Sequence, residues 1–392
     1  MINISKKEAH GEKFLFINYI YCFAVLLCII HSSLMMCRTG QETFVPGFNN
    51  KESNIFDSLI LIGNVLLIPV IMSLFGLTAF STIKQSGPTK FLKDRLLPLG
   101  TLFVFAALII MPLAYYFSIH ENNSYGTLWH YVTKDYFKLW LVGPAWIFPV
   151  IMLFDTIAFL LFKYCPHLTQ RLLLIVKNLK IVHFFLIFFF ATFFIFLLNT
   201  SIFYKAEFIT LPIDSSWMHA GPIWWQENVM MTYFFIYLFS IFLGSSEKFI
   251  NYIFASKGNL ASKWLHRLLE TIILYLALGF IDPIETIMDS ALLKSLLWQF
   301  LFLLLTFTMS ATFFSILDRF AYRKSRVLSF FSNYSLMIYT VYFFPLALVS
   351  KYTVNFHKMT DIQRTYVVAI FTLLISLLIS FLIKRALSFI KK

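Results

Sequence analysis

Residues 14–36 read FLFINYIYCFAVLLCIIHSSLMM, an apolar run with one histidine near its end. At about 1.5 Å of rise per residue, a helix of this length is about long enough to cross the hydrocarbon core of a bilayer. The imidazole of His31 would then lie inside the membrane, where an ionisable side chain is costly and often functional. We therefore predict a transmembrane helix here and take His31 as a candidate functional residue.

The composition of the whole chain extends this prediction to a polytopic membrane protein. Of the 392 residues, 59% are hydrophobic and 13% are charged, whereas soluble proteins carry about 25% charged residues. Apolar runs of about 20 residues recur from one end of the chain to the other. The alternating segments typical of transmembrane β-barrels do not occur. These patterns predict an all-α, polytopic transmembrane helical bundle in a lipid bilayer.

The apolar runs define about ten predicted spans, each with ends uncertain by a few residues. The spans are residues 14–36, 58–83, 98–118, 141–162, 181–204, 226–246, 266–289, 291–318, 327–350 and 365–385. Residues 1–13 and 386–392 form short basic tails, and residues 14–385 form a single membrane domain.

The basic residues predict how the chain is oriented. The chain has 32 Lys and Arg against 19 Asp and Glu, and most of the cations fall in alternate segments between the spans. Because cytoplasmic loops are enriched in Lys and Arg, this alternation predicts that both termini are cytoplasmic. The cations do not cluster on one face, so nucleic acid is not predicted as a partner.

Several common classes of site are not indicated by the sequence. Cys22, Cys28, Cys37 and Cys165 lack the spacing of metal ligands, so no metal site is predicted. The chain has no P-loop, dinucleotide fingerprint, HExxH or GxSxG motif. The paired broken segments that mark many secondary transporters are not visible either.

His31 is the first of the candidate sites. With the N-terminus inside, it lies in the outer part of the first span, followed by Ser32 and Ser33. A neutral imidazole can act as a general base near neutral pH. The alternative is a structural histidine that hydrogen-bonds a neighbouring helix. Position alone leaves both interpretations open.

A second candidate site is TIKQSGPTKFLKDRLLPLG, residues 82–100, in which Pro98 is expected to open the third span. Four cations surround its Gly-Pro turn: Lys84, Lys90, Lys93 and Arg95. Such a cluster can bind anionic phosphate groups. The same residues can equally reflect the general enrichment of cations in cytoplasmic loops.

Two further segments carry polar or aromatic groups. In GPAWIFPVIMLFD, residues 143–155, two prolines predict an irregular helix start, and Asp155 needs a basic partner on an adjacent helix. The segment 205–227 reads KAEFITLPIDSSWMHAGPIWWQE. Flat aromatic faces pack well against sugar rings. The candidate carbohydrate-binding residues of this segment are therefore Trp217, Trp224, Trp225 and Glu227. The alternative for these tryptophans is an aromatic belt at the membrane surface.

The order of these segments resembles the acyltransferase 3 superfamily of integral membrane acyltransferases, and within it the glucan biosynthesis protein C type. The resemblance covers nearly the whole chain. It is carried by the late histidine of the first span and by FGLTAF…GPTKFLKDRLLPL, GPAWIFPVIMLF and NYSLMIYTVYFFP. It implies transfer of an acyl group, acetyl or succinyl, from cytoplasmic acyl-CoA to a hydroxyl of a periplasmic or cell-surface carbohydrate. The acceptor would be a glucan, O-antigen or exopolysaccharide, and the location a bacterial inner membrane.

The resemblance also implies roles for individual residues. His31 matches the catalytic histidine, Arg95 an arginine that contacts the donor phosphates, and Trp146 the tryptophan of the GxxWF motif. Arg95 and Trp146, together with Lys84, Lys90 and Lys93, would form the site for the acyl-CoA donor, and no permanently bound cofactor is implied. Basic residues that the family usually has are replaced by Ile20 and Pro98, and the late-span histidine by Tyr342 or a neighbouring Phe. The alternative function is a non-enzymatic transporter or flippase, or a catalytically degenerate family member.

Overall fold

The computed structural model describes residues 8–39, 55–119, 127–203, 217–220, 223–249, 263–279, 291–320, 325–354 and 359–390. These residues form a helical bundle with one small hairpin. The helices are α1 (Glu8–Thr39), α2 (Ile55–Ser86), α3 (Pro88–Phe105), α4 (Met111–Ile119), α5 (Leu128–Tyr131), α6 (Phe137–Leu139), α7 (Ile147–Tyr164), α8 (Pro166–Asn178), α9 (Ile181–Phe203), α10 (Glu227–Ser245), α11 (Trp264–Gly279), α12 (Ala291–Phe320), α13 (Arg326–Val341), α14 (Phe343–Val354) and α15 (Asp361–Ile390). Shorter π and 3-10 segments are Ala106–Ile110, Val132–Tyr136 and Gly143–Trp146.

Several helices are able to cross a membrane. Six in the described part of the chain are long and apolar enough: Ile17–Cys37, Leu59–Ser86, Pro88–Phe117, Gly143–Tyr164, Leu296–Arg319 and Ile362–Ser388. The bent pair α13 and α14 would make a seventh span. Ile181–Ile195 and Met230–Ser245 are shorter apolar helices within two more predicted spans. Residues 280–289 of the predicted span 266–289 lie outside the described residues. The helical membrane class is confirmed, and the count of ten stays a prediction.

One hairpin adds to the helices that the sequence predicts. Strands β1 (Trp217–Ala220) and β2 (Ile223–Gln226) pair antiparallel, with Trp217 opposite Gln226 and His219 opposite Trp224. Aromatic and β-branched residues favour strands, and this segment is rich in tryptophan. Strand β2 contacts the Gly143–Trp146 turn, α7 and α10.

The third span begins earlier than predicted. Helix α3 starts at Pro88, so the prediction that Pro98 opens this span was wrong. Gly87 has a φ of 78°, a left-handed conformation that glycine adopts easily, and this lets the chain turn directly from α2 into α3. Pro88 then suits the first helical position, where an N–H is not needed. Lys90, Lys93 and Arg95 consequently lie on a helix and not in a loop.

Contacts between the first two helices show that they run antiparallel. The rings of Tyr21 in α1 and Phe75 in α2 pack edge to face, with centroids 5.5 Å apart. Ten residues further along α1, His31 hydrogen-bonds the carbonyl of Ile60, near the start of α2. The N-terminal part of α1 therefore lies beside the C-terminal part of α2.

Further contacts gather the basic segments at one end of the bundle. The rings of Phe80 and Phe162 bring the C-terminal ends of α2 and α7 together, with centroids 6.3 Å apart. Lys248, after α10, donates to the carbonyl of Leu179 at 3.2 Å. This end, termed the basic end, carries Lys84, Lys90, Lys93, Lys163, Arg171, Lys177, Lys180 and Lys248. The opposite end is termed the His31 end. This grouping agrees with the predicted alternation of basic segments.

Phenylalanine rings fill much of the contact between α9 and α10. The rings of Phe188 and Phe239 stack with centroids 3.5 Å apart, and Phe184 stacks on Phe249 at 4.4 Å. Such aromatic pairs favour close packing of the two apolar helices. The main core continues from these rings into α1, α2, α3 and α7.

Candidate functional site

Arg95 and Asp155 form an ion pair inside the bundle, between α3 and α7. Arg95 Nη1 lies 3.5 Å from Asp155 Oδ1, and the side chains are 2% and 0% exposed. A buried charge is tolerated only when it is paired and hydrogen-bonded, because its transfer out of water is costly. The prediction that Asp155 has a basic partner on an adjacent helix is therefore confirmed.

Helices α2 and α10 complete this site. Arg95 donates from Nη2 to Thr78 Oγ1 at 2.5 Å and from Nη1 to the carbonyl of Phe75 at 3.2 Å. The hydroxyl of Tyr237 donates to Asp155 Oδ1 at 2.5 Å. The side chains of Thr78, Arg95, Asp155 and Tyr237 are termed the polar cluster. They tie four helices together.

Aromatic rings enclose the guanidinium. Arg95 Cζ lies 5.4 Å from the ring centroid of Phe75 and 5.3 Å from that of Phe91, within the range of cation–π attraction. In the described part of the chain, Arg95 Nε and Asp155 Oδ2 are buried without a hydrogen-bond partner. The pair is thus strongly held but has spare hydrogen-bonding capacity.

The exposed lysines are separated from Arg95. Lys84, Lys90 and Lys93 are exposed at the end of α2 and on the first turns of α3. Arg95 lies only two residues further along, but it is 3% exposed and directed into the bundle. The sequence predicts one phosphate-binding group of four cations. The structure instead places three at the surface and commits the fourth to Asp155.

His31 contacts α2 near the other end of the bundle. Its Nε2 lies 3.2 Å from the carbonyl oxygen of Ile60. Because a carbonyl only accepts, Nε2 carries the proton of the neutral ring, and Nδ1 carries the lone pair that a general base needs. Helix α2 thus fixes both the tautomer and the orientation of the imidazole.

Gly63 makes this close approach of α1 and α2 possible. A Cβ atom at Gly63 would lie 2.0 Å from Cδ2 of His31 and 2.8 Å from its Nε2. These separations are far below a van der Waals contact, so any other residue would displace the ring. The backbone of α2 around Ile60 and Gly63 therefore forms a fitted seat for His31.

The break in the ninth predicted span lies beside this seat. Ser32 Oγ and the Tyr342 hydroxyl are 3.1 Å apart. Tyr342 lies between α13 and α14, whose axes differ by 67°. Pro345 explains the bend, since it has no N–H to donate to the carbonyl of Val341. From the sequence this span predicts only helix packing. Pro345, the last residue of SFFSNYSLMIYTVYFFP, is the sequence feature that indicates this break.

A second tyrosine of α13 reaches the start of α7. The Tyr339 hydroxyl donates to the carbonyl of Pro144 at 2.9 Å, within the 3-10 turn Gly143–Trp146. This confirms the predicted irregular helix start. Gly143 has a φ of 46°, and a Cβ there would lie 3.1 Å from the Tyr115 hydroxyl. Glycine is therefore required at this turn.

Trp146 is buried at the end of the same turn. The turn begins α7, whereas Asp155 and Phe162 follow progressively nearer the basic end. Trp146 is consequently not near the exposed lysines with which it is grouped in the sequence prediction. It is instead on the segment that contacts β2, the strand that carries two of the candidate sugar-binding residues, Trp224 and Trp225. Trp217 lies on β1, and Glu227 begins α10.

The polar cluster and His31 do not form one constellation. Tyr21, which packs on Phe75 beside the cluster, is ten residues before His31 on α1. At a rise of about 1.5 Å per residue, Tyr21 and His31 are about 15 Å apart along the axis of α1. Among the described residues, the polar cluster and His31 are therefore separate polar regions, the first buried nearer the basic end and the second at the His31 end.

The chain matches no protein-family model, curated protein or solved structure. The resemblance to the acyltransferase 3 superfamily thus rests on the sequence passages quoted above.

Proposed function

We propose that the protein is an integral membrane O-acyltransferase, which transfers an acetyl or succinyl group from acyl-CoA to a carbohydrate hydroxyl. The observation that carries the proposal is the seat of His31. An imidazole inside an apolar helix is held by the Ile60 carbonyl and fitted against Gly63, so that its basic nitrogen is defined. This arrangement is suited to a general base.

We further propose that the basic end faces the cytoplasm. Cytoplasmic segments of membrane proteins are enriched in Lys and Arg, and the basic end gathers the segments that carry them. In this topology the chain has ten spans, both termini are cytoplasmic, and the His31 end faces the periplasm of a bacterial inner membrane. The donor would then approach from one side and the carbohydrate from the other.

The donor site proposed here differs from the one that the sequence indicates. Lys84, Lys90 and Lys93 are exposed and are suited to the phosphates of acyl-CoA. Arg95 is assigned to the ion pair with Asp155 and not to the donor. The extended pantetheine arm carries the thioester away from the nucleotide phosphates, which fits the separation of the lysines from His31.

In the proposed reaction, Nδ1 of His31 takes the proton of the acceptor hydroxyl, whose oxygen attacks the thioester carbonyl. A carbon–oxygen bond forms and the carbon–sulfur bond breaks. The proton then passes from His31 to the departing thiolate of CoA. The β1–β2 hairpin, with Trp217, Trp224 and Trp225, is proposed to bind the carbohydrate together with Glu227, and Trp146 lies on the adjacent turn.

Binding of acyl-CoA tests the donor side of this proposal. Replacement of Lys84, Lys90 and Lys93 with Ala should weaken saturable acyl-CoA binding to the purified protein at least tenfold. The matched control is Lys134→Ala with Lys138→Ala, two exposed lysines near α4 and away from the basic end. Equal binding by the triple variant and the control would contradict the donor site.

A transporter or flippase for a lipid-linked or polyanionic molecule is the second candidate, because ionisable groups converge from several helices on the polar cluster. Asp318 is also 1% exposed, and in the described part of the chain its carboxylate oxygens have no hydrogen-bond partner. Intramembrane charges of this kind often mark transport pathways. Reconstituted protein that moves a polyanionic lipid across vesicles but transfers no acyl group would favour this candidate.

A further inference from the structure

Helix α8 (Pro166–Asn178) lies against the bundle by one face only. Thr169 and Val176 are its buried residues, and it contacts α7 and α10. At about 1.5 Å per residue it is about 20 Å long, which is too short to cross a bilayer. It joins the end of α7 to the start of α9, so it lies at the basic end.

An exposed apolar patch surrounds Arg171 on this helix. Leu168, Leu174 and Ile175 are 51%, 59% and 55% exposed, and Arg171 is exposed as well. Each of the three is three or four residues from Arg171, so the four side chains neighbour one another on the outer surface of α8. These four side chains are termed the Arg171 patch. Exposure of the patch to water is unfavourable because of its apolar area. Burial of the patch within hydrocarbon is unfavourable because of its guanidinium.

The membrane interface satisfies both requirements, since acyl chains and phosphates lie there within a side chain's length of each other. The charge around the patch is entirely positive along the chain. Residues 163–180 contain four Lys and Arg and no Asp or Glu: Lys163, Arg171, Lys177 and Lys180. Lys163 lies along the rings of Phe159 and Tyr164, at 5.0 and 5.1 Å. The neighbouring end of α10 adds Lys248 and one exposed acid, Glu247.

We propose that α8 is an interfacial helix that selects anionic phospholipids. Leu168, Leu174 and Ile175 enter the upper acyl layer, and Arg171 donates to the phosphate of a headgroup. A guanidinium is well suited to this, because it can donate two parallel hydrogen bonds to one phosphate. Lys163, Lys177, Lys180 and Lys248 add attraction to the net negative charge of the leaflet. This site is separate from His31 and the polar cluster.

Spin labelling of the full-length protein tests where the patch lies. The exposed Cys165 and the half-buried Cys37 are replaced with Ser, and a nitroxide is attached to Ile175→Cys or to the control Gln170→Cys. Gln170 is exposed on the same helix but outside the patch. In vesicles of phosphatidylcholine with phosphatidylglycerol, the label at residue 175 should be more accessible to oxygen than to a water-soluble nickel complex. The label at residue 170 should show the reverse. Equal water accessibility at both positions would overturn the proposal.

Native mass spectrometry of the solubilised protein tests the selectivity. Each cation near an anionic surface is expected to strengthen binding about fivefold. Arg171→Gln with Lys177→Gln should therefore lower the preference for phosphatidylglycerol over phosphatidylcholine at least fivefold, whereas Lys134→Gln with Lys138→Gln should not. An unchanged preference would overturn the proposal. So would displacement of the bound lipid by soluble acyl-CoA, because that result would assign the patch to the donor.

Discussion

Replacement of Asp155 with Asn should destabilise the folded bundle by about 3–5 kcal/mol. The substitution preserves the size of the side chain but removes its charge. Arg95, which is 3% exposed, would then be a buried cation without a counter-ion. Its remaining hydrogen bonds, to Thr78 and the Phe75 carbonyl, are with neutral oxygens, and the rings of Phe75 and Phe91 carry no net charge. The cost follows mainly from the uncompensated charge and not from the lost contact at 3.5 Å.

The chain offers a matched control for this prediction. Arg267 and Glu270 form an ion pair on α11 at 2.8 Å, with side chains 31% and 48% exposed. By distance alone this pair would be the stronger of the two. Exposed pairs are worth about 0–1 kcal/mol, because water screens them, so Glu270→Gln should cost less than about 1 kcal/mol. The comparison isolates the effect of burial.

Equilibrium unfolding in mixed detergent micelles, followed by circular dichroism, measures both effects. The double variant Arg95→Met with Asp155→Leu should recover most of the loss, since it removes both buried charges together. A change of less than about 1 kcal/mol in Asp155→Asn would refute the reasoning. Loss of acyl-CoA binding in Arg95→Met at unchanged stability would also refute it, and would return Arg95 to the donor site.

Three other substitutions test the neighbourhood of His31. Gly63→Ala should abolish acyl transfer by displacing the imidazole, while the purified variant stays folded and inserted; full activity would contradict the proposed seat. Gly143→Ala should lower the stability by about 1–2 kcal/mol, because its left-handed conformation disfavours a Cβ, and an unchanged unfolding midpoint would contradict this. Tyr342→Phe should cost about 1–3 kcal/mol in the same unfolding measurement, because the buried Ser32 hydroxyl loses its Tyr342 partner. A gain in stability would show that this hydrogen bond is not formed.

The sequence predicts the helical membrane class well because the length of an apolar run directly reflects the thickness of the bilayer. It also predicts that Asp155 needs a cation, since an isolated carboxylate in an apolar helix is costly. It does not identify that cation. With α3 expected to begin at Pro98, Lys90, Lys93 and Arg95 fall in a loop, where no helical face distinguishes them.

The remaining differences have similar local causes. The turn from α2 to α3 depends on the left-handed Gly87, whose conformation the sequence does not specify. Helix α8 lies in a segment that the basic residues mark simply as a loop, although its exposed Leu168 and Ile175 are seven residues apart, a helical spacing. The seat of His31 depends on Gly63, and a glycine within an apolar run gives no indication of the helix that packs against it.

The proposed acyltransferase activity is tested most directly by mass spectrometry of surface and periplasmic glycans from cells with and without the protein. The proposal predicts an acetyl or succinyl mass increment on one glycan that is lost without the protein. Wild-type protein should restore the increment, whereas a folded and inserted His31→Ala variant should not. Identical glycans with and without the protein, or full restoration by His31→Ala, would contradict the central claim.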